Sequence, residues 1–206
     1  SISILLTILM AFVVSRKKLM LKSFLIKMMM LTMFFSGGMI PTYLMMQDIG
    51  IMGTRFSVIL PGLISVTNVI ILRTAFMGIP QGLEECAKID GANDFIVLFK
   101  VIVPLSMPAI AVMVLFYGVG RWNSWFDAFL YLRNRELFPL QLILREILVE
   151  SSTDNMMISL GALNGLDMSE IIKYATIIVS TIPILCIYPL LQKHFVKGVM
   201  IGAIKG

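Results

Sequence analysis

Apolar residues in this chain are gathered into long blocks rather than alternating or helical stripes. Residues 1–14 are apolar up to Arg16-Lys17-Lys18, and 24–46 are apolar apart from Lys27. Further blocks cover 57–76, 105–121 (extending towards Leu132) and 171–191. A helix needs about 20 mostly apolar residues to cross a bilayer, so the pattern predicts an all-α integral membrane protein, a polytopic bundle of about five spans. Lys27 lies near a span end, where it can snorkel to the interface. Several blocks contain helix breakers: Gly37-Gly38 and Pro41, Pro61-Gly62, Pro108, and Pro183 with Pro189. In lipid a broken helix is tolerated where protein or a water-filled cavity covers the freed backbone. These kinks therefore either bend a packed bundle or line a path for a polar solute.

Between the blocks, 78–104 and 133–170 hold most of the remaining charge, and a basic tail occupies 192–206. In the first of these, Pro80 suits the start of a helix, Glu84 and Lys88 form an i,i+4 pair, and Gly91 supplies the stop. Asn93 or Asp94 then caps a second short helix over Phe95–Val103, which Pro104 interrupts. Ala87 and Gly91, small and four apart, read as a face that a partner's backbone can approach closely, with carboxylates at the rim. Residues 134–150 place Leu137, Leu140, Ile143, Leu144, Ile147 and Leu148 at near-helical spacing opposite Arg135, Glu136, Arg145 and Glu146. That is the pattern of an amphipathic surface helix.

Composition agrees with lipid as the solvent. Of 206 residues, 58% are hydrophobic and 14% charged, with a mean hydropathy of +0.93; soluble domains hold about 45–50% apolar and about 25% charged residues. The net charge of +5 becomes informative once the spans are drawn. The side holding 15–23, 77–104 and 192–206, counted with Lys27 and Arg73 near its span ends, has eleven cations and four acids, a net +7; the other has six cations and eight acids, a net −2. Positive-inside reasoning assigns the first side to the cytoplasm, so the surplus is topology rather than nucleic-acid binding. Cys86 and Cys186 lack neighbours at metal-ligand spacing and read as small packing residues. His194 stands alone and reads as a helix-end residue, and the 17 methionines as pliable packing. No phosphate-binding loop motif is present in the sequence. The start at Ser1, inside an apolar run with no charged leader, is not a signal-peptide pattern.

Glu85, Cys86 and Ala87, then Gly91, Val101, Val103 and Pro104, resemble the EAA loop of the membrane subunits of binding-protein-dependent ABC importers. Cys86, Val101 and Val103 depart from that pattern by small or aliphatic replacements. Ile79-Pro80, Ile89-Asp90-Gly91-Ala92, Trp122-Asn123 and the tail FVKGVMIGAIKG are similar to carbohydrate permeases of the maltose type. Tyr131–Ile147, with Phe138-Pro139-Leu140-Gln141-Leu142, resembles a subset handling complex oligosaccharides. The resemblance implies about six spans, so a first span and an external loop are expected to precede Ser1. It implies a multi-pass subunit of a bacterial inner membrane that works with a second permease, two cytoplasmic ATPases and an extracytoplasmic sugar-binding protein. ATP and Mg are used by the ATPases; this chain binds no cofactor or metal and is a transport subunit, not an enzyme.

Residue by residue, the implied coupling loop is Glu84, Glu85, Cys86, Ala87, Asp90, Gly91, Ala92 and Pro104. The implied ATPase-facing tail includes Lys197, Gly198 and Gly202; its plainer reading is a basic membrane-surface tail. Tyr43, Asn68, Tyr117, Trp122 and Asn123 are candidates for a sugar path by residue type, as Trp125 and Asp127 are, although Trp and Tyr also mark membrane interfaces. The loop around Asp154, Asn155, Gly161, Asn164, Gly165 and Asp167 reads as a solvated connection, or as a segment reaching the binding protein. Rival readings are an importer permease for another polar solute, a secondary transporter and a structural membrane subunit. A secondary transporter favours intramembrane ionisable groups, whereas the charges here lie mainly at span ends.

Overall fold

The computed structural model describes residues 1–16, 20–158 and 166–203, with side chains placed at 1–16, 20–150 and 170–189. All regular structure among these is helical. One compact unit contains the described residues of 1–42, 62–118 and 191–206, and a second contains those of 43–61 and 119–190.

In the first unit, α1 (Ile2–Ser15) packs most extensively on α5 (Val66–Met77). Ala11, Val69 and Leu72 are completely buried, and Ile8, Phe12, Val14 and Phe76 complete that seam. The predicted span 24–46 is two helices, α2 (Lys22–Phe34) and α3 (Met39–Asp48), bent by 112°. The break falls at Gly37-Gly38, where Gly38 takes φ +87°, a conformation that costs glycine nothing. The predicted span 57–76 is not one helix: α4 (Arg55–Ile59) belongs to the second unit, the chain tightens over Leu60–Gly62, and α5 belongs to the first. After the charged 78–104 stretch, α9 (Met107–Trp122) leaves at 84°.

Two breaker assignments need correcting. Pro108 sits in the first turn of α9, where its missing N–H has no intrahelical partner to lose. Pro183 and Pro189 lie inside one helix, α12 (Leu166–Ala203), which continues through both. Within it Glu170–Pro189 is long and apolar enough to cross a membrane unbroken; three bent pairs, Lys22–Phe34 with Met39–Asp48, Arg55–Gly62 with Val66–Met77, and Asp94–Leu105 with Met107–Trp122, meet the same test together. With 14 residues α1 is apolar but shorter, rising about 21 Å at 1.5 Å per residue.

Large apolar side chains cover the outside of both units: Met20, Phe34, Phe35, Ile40, Phe129, Ile171 and Leu185 all stand exposed. Water would make that arrangement costly, whereas hydrocarbon does not. In lipid, helices associate through close packing and polar contacts rather than through burial from water.

Those polar contacts sit where helices break. Thr7 is buried and donates its hydroxyl to the Ser3 carbonyl at 2.7 Å. Its oxygen can then only accept from the Tyr117 hydroxyl, 2.7 Å away. Tyr117 in turn accepts the Ser65 N–H at 3.0 Å, a donor released at the start of α5. In the second unit, the Arg121 guanidinium donates to the Val58 and Ile59 carbonyls, both at 3.1 Å, where α4 gives way to Pro61. The indole N–H of Trp122 donates to the Ser180 carbonyl at 2.8 Å, one turn before Pro183. There α10 (Phe126–Tyr131) and α11 (Leu140–Ile158) enclose a small core of Ala128, Leu132 and Leu142. The amphipathic segment predicted from 134 begins as a single tight turn, Arg135–Leu137, before α11 starts beyond Pro139.

Replacing Arg121 with methionine keeps the apolar stem but strips both carbonyls of their charged donor. The expected loss is about 1.5–3 kcal/mol, read as a lower melting temperature of the detergent-solubilised protein. An unchanged melting temperature contradicts the role assigned to Arg121.

Candidate functional site

The 78–104 stretch folds as a helix, a stop and a second helix on the first unit. Its first helix, α6 (Gln81–Ile89), starts directly after Pro80, with Glu84 in the first turn and Lys88 in the last, both favourable to the helix dipole. Gly91 ends it at φ +81°. The Ala92 N–H reaches back to the Ala87 carbonyl at 2.9 Å, and the Gly91 N–H to that of Lys88 at 3.1 Å. These two bonds make a Schellman stop, and they require a left-handed residue at position 91. Ala87 and Ala92, on either side of the stop, both pack against the core. Asn93 then caps α7 (Asp94–Ile96), its side-chain oxygen accepting the Ile96 N–H at 2.8 Å.

The second helix runs further than its sequence suggests. From Val97 to Ile102 the backbone takes the wider i→i+5 winding, and α8 (Val103–Leu105) follows with Pro104 in its first turn. The wider winding carries hydrogen bonds past Pro104, which has no N–H to offer. The break expected at Pro104 therefore falls at Ser106, where the 84° turn into α9 occurs. Val97, Leu98 and Ile102 are fully buried beneath the loop and anchor it to α1 and α5. Sequence reasoning missed this anchor, because Phe95–Val103 is apolar throughout apart from Lys100 and offers no periodicity to separate buried from exposed positions.

The faces of α6 are now defined. Glu84 and Ala87, three apart, are half-buried against the unit, whereas Leu83, Glu85, Cys86, Ile89 and Asp90 are exposed, Ile89 at 84%. Ala87 thus lets α6 lie close to its own core, a correction to its reading as a residue offered outwards. Cys86 is exposed on the outer face and Cys186 on α12, so neither is the packing residue expected. The expected Glu84–Lys88 pair is replaced by two others. Glu84, turned inwards, meets Arg16 at the end of α1 in an ion pair. Lys88 reaches across the Gly91 turn to Asp94 at 3.0 Å. The hydrogen bond from Lys88 holds the Asp94 carboxyl below its usual range. That tie is therefore intact at neutral pH and is lost only as pH falls through the lowered value; both groups are more than half exposed, so it contributes little. A cavity of about 350 Å³ lies beside the Arg16–Glu84 pair.

Of the five candidate sugar-path residues, Asn68 and Tyr117 belong to the first unit and Tyr43, Trp122 and Asn123 to the second. Tyr117 is committed to Thr7 and Ser65, and Asn68 is buried with its backbone N–H on the Ser65 hydroxyl at 3.5 Å. In the second unit, Tyr43 stacks on Tyr131 with centroids 6.3 Å apart, Trp122 is tied to Ser180, and Asn123 is exposed. Also in that unit, Arg145 lies 3.5 Å over the Trp125 ring and Arg135 contacts Glu146 at 3.3 Å. Arg135, Arg145, Glu146, Glu150 and Phe129 border a cavity of about 540 Å³. Lys197, Gly198 and Gly202 lie on the backbone of α12, but their side chains, like that of His194, are outside the described residues. Asp154 and Asn155 lie on the backbone of α11 and Asp167 on that of α12, again without described side chains; Gly161, Asn164 and Gly165 are outside the described residues altogether. Among the described residues, no cluster of His, Cys, Asp or Glu has a metal-holding arrangement.

A helical membrane unit presenting a stopped, core-anchored surface helix has the form of a transport subunit. The chain belongs to the family of binding-protein-dependent transport system inner membrane components, whose model matches residues 3–126 and so spans the whole loop. It is 43% identical over 206 residues to the polygalacturonan/rhamnogalacturonan transport system permease protein YtcP of Bacillus subtilis (strain 168), covering all of this chain and 72% of that one. It is 41% identical over 206 residues to protein LplC of the same organism, covering 97% and 68%. A crystal structure of a bacterial ABC transporter that imports the acidic polysaccharide alginate aligns with a TM-score of 0.81 at 31% identity, over 94% of this chain and 69% of that one. The fold is thus that of an ABC permease, a transport component rather than an enzyme.

Replacing Gly91 with alanine meets no steric obstacle, since nothing lies within 4 Å of the added carbon. The cost is the left-handed backbone alone, about 1–2 kcal/mol. Hydrogen exchange at the Ala92 amide should therefore quicken about tenfold in Gly91→Ala and less in Gly91→Asn, which tolerates this conformation better. Equal exchange in all three chains contradicts the stop described above.

Proposed function

We propose that this chain is one of two permease subunits of an ATP-driven importer that moves a sugar or oligosaccharide delivered by an extracytoplasmic binding protein. The observation that carries the reading is α6. Its inner face is fastened to the unit, and its outer face presents Leu83, Glu85, Cys86 and Ile89, which no described residue covers. An exposed isoleucine beside a carboxylate on a rigid, amphipathic helix suits insertion into a cleft on another protein, the apolar group supplying contact and the charge fixing register. In this reading the other protein is a cytoplasmic ATPase, which binds ATP with its magnesium ion, and α6 with Asp90, Gly91 and Ala92 is the coupling helix. The positively charged side, including the tail with Lys197, Gly198 and Gly202, faces the cytoplasm, and the tail extends towards the ATPases.

The substrate reading is narrower than sugar in general. YtcP is named for polygalacturonan and rhamnogalacturonan, and the aligned importer for alginate, all of them uronate polymers. We infer that oligosaccharides containing uronic acids are carried here. Arg135 and Arg145 beside the aromatic groups of the second unit have the chemistry for such a substrate, a cation for the carboxylate and a ring face for the sugar, although Glu146 and Glu150 balance their charge.

Vesicles containing this subunit, its second permease and the ATPases, supplied with the binding protein, should accumulate labelled oligogalacturonides on addition of ATP. Neutral maltooligosaccharides should be taken up at least tenfold more slowly. Glu85→Lys should abolish ATP-dependent uptake of either while leaving the subunit in the membrane. Preferential uptake of neutral sugar overturns the substrate class, and uptake undiminished by Glu85→Lys overturns the role of α6.

A further inference from the structure

We propose that Arg16 and Glu84 form the joint through which α1 follows the coupling helix, so that Arg16 is a positioning residue for transport although no coupling-loop motif includes it. The proposal rests on the reading of α6 as the ATPase-driven element and adds where its motion goes.

Adjacent carboxylates on α6 have opposite fates: Glu85 is exposed on the outer face, while Glu84 is turned inwards. There it pairs with Arg16, the residue closing α1, across 68 positions of sequence. The two side chains are 23% and 22% exposed, so the charges are largely withdrawn from water. In such a setting a pair resists separation, because parting leaves a buried charge without its partner. Arg16 is in turn fixed to α1: its guanidinium lies 3.8 Å from the centre of the Phe12 ring, one turn back on the same helix. The end of α1 is held a second time by Arg73 of α5, which donates to the Val14 carbonyl at 3.3 Å. A push on α6 is thereby delivered to the α1–α5 seam, the best-packed part of the unit.

Two further details suit a joint rather than a fixed weld. Only one guanidinium nitrogen of Arg16 meets Glu84; Nε and Nη2 are buried without a hydrogen-bond partner among the described residues. A carboxylate can pass along these donors without losing the cation. The cavity of about 350 Å³ beside the pair, bordered by Ser15, Phe76, Met77, Ile79 and Gln81, leaves room for that passage.

The test uses the whole importer in membrane vesicles, with Cys86→Ser and Cys186→Ser to remove the native thiols and Ser15→Cys to report from the end of α1. The rate of maleimide labelling at position 15 is compared between the nucleotide-free and the ATP–vanadate-trapped states. The expected result is at least a fivefold difference between states with the native pair and less than a twofold difference in Glu84→Gln and in Arg16→Gln. The exchanged pair, Arg16→Glu with Glu84→Arg, should restore the fivefold difference. ATPase subunits should co-purify at equal yield with all four chains, which separates transmission from docking. A difference that survives in Glu84→Gln, that is absent with the native pair, or that the exchanged pair fails to restore overturns the joint. Failure of the native chain to retain ATPase subunits overturns the coupling reading beneath it.

Discussion

Lipid cannot hydrogen-bond the backbone groups that a broken helix releases, and among the described residues three apolar stretches are broken helix pairs. At the break between α4 and α5 side chains from elsewhere in the same unit meet those groups. Tyr117 takes the free N–H of Ser65, and Arg121 caps the carbonyls of Val58 and Ile59; the Trp122 indole N–H is likewise engaged, on the Ser180 carbonyl of α12. These contacts decide which polar residues are available for anything else. Tyr117, attractive by type as a sugar contact, already has its hydroxyl engaged at such a break, and the Trp122 indole N–H is engaged on α12.

The same constraint explains the surface helix. The helix winds wider over Val97–Ile102, continues through Pro104, and buries Val97, Leu98 and Ile102 under the loop. With that floor in place, the stop at Gly91 and the cap at Asn93 set the two short helices at a defined angle. The result is a short helix with one face fastened and the other unclaimed. Ion pairs follow from the same placement: Glu84 faces inwards to Arg16 because Ala87, three residues on, is the close-packing side of α6.

Much of this was legible in the residues. The five apolar blocks locate the helices, Gly37-Gly38 and Pro61-Gly62 locate two of the bends, and Pro80, Gly91 and Asn93 mark the loop's punctuation, because each acts through its own backbone or its nearest neighbours. What could not be read was non-local or lacked periodicity. Nothing local in Arg16 distinguishes it from the cations after it, so its partner across the chain was hidden and Lys88 was the obvious choice for Glu84. The uniformly apolar Phe95–Val103 run gave no sign of its wider winding. The smallness of Ala87 suits close approach on either side of a helix, and only the fold says which side.

The central claim is that the outer face of α6 is the surface on which an ATPase seats. Cys86 lies on that face as an exposed thiol and needs no engineering. With Cys186 replaced by serine, the rate of maleimide labelling at Cys86 can be measured in membranes holding the permease pair with and without its ATPases. The account predicts ready labelling without them and at least tenfold protection with them. Equal labelling in both, with the ATPases shown to be bound, would contradict it.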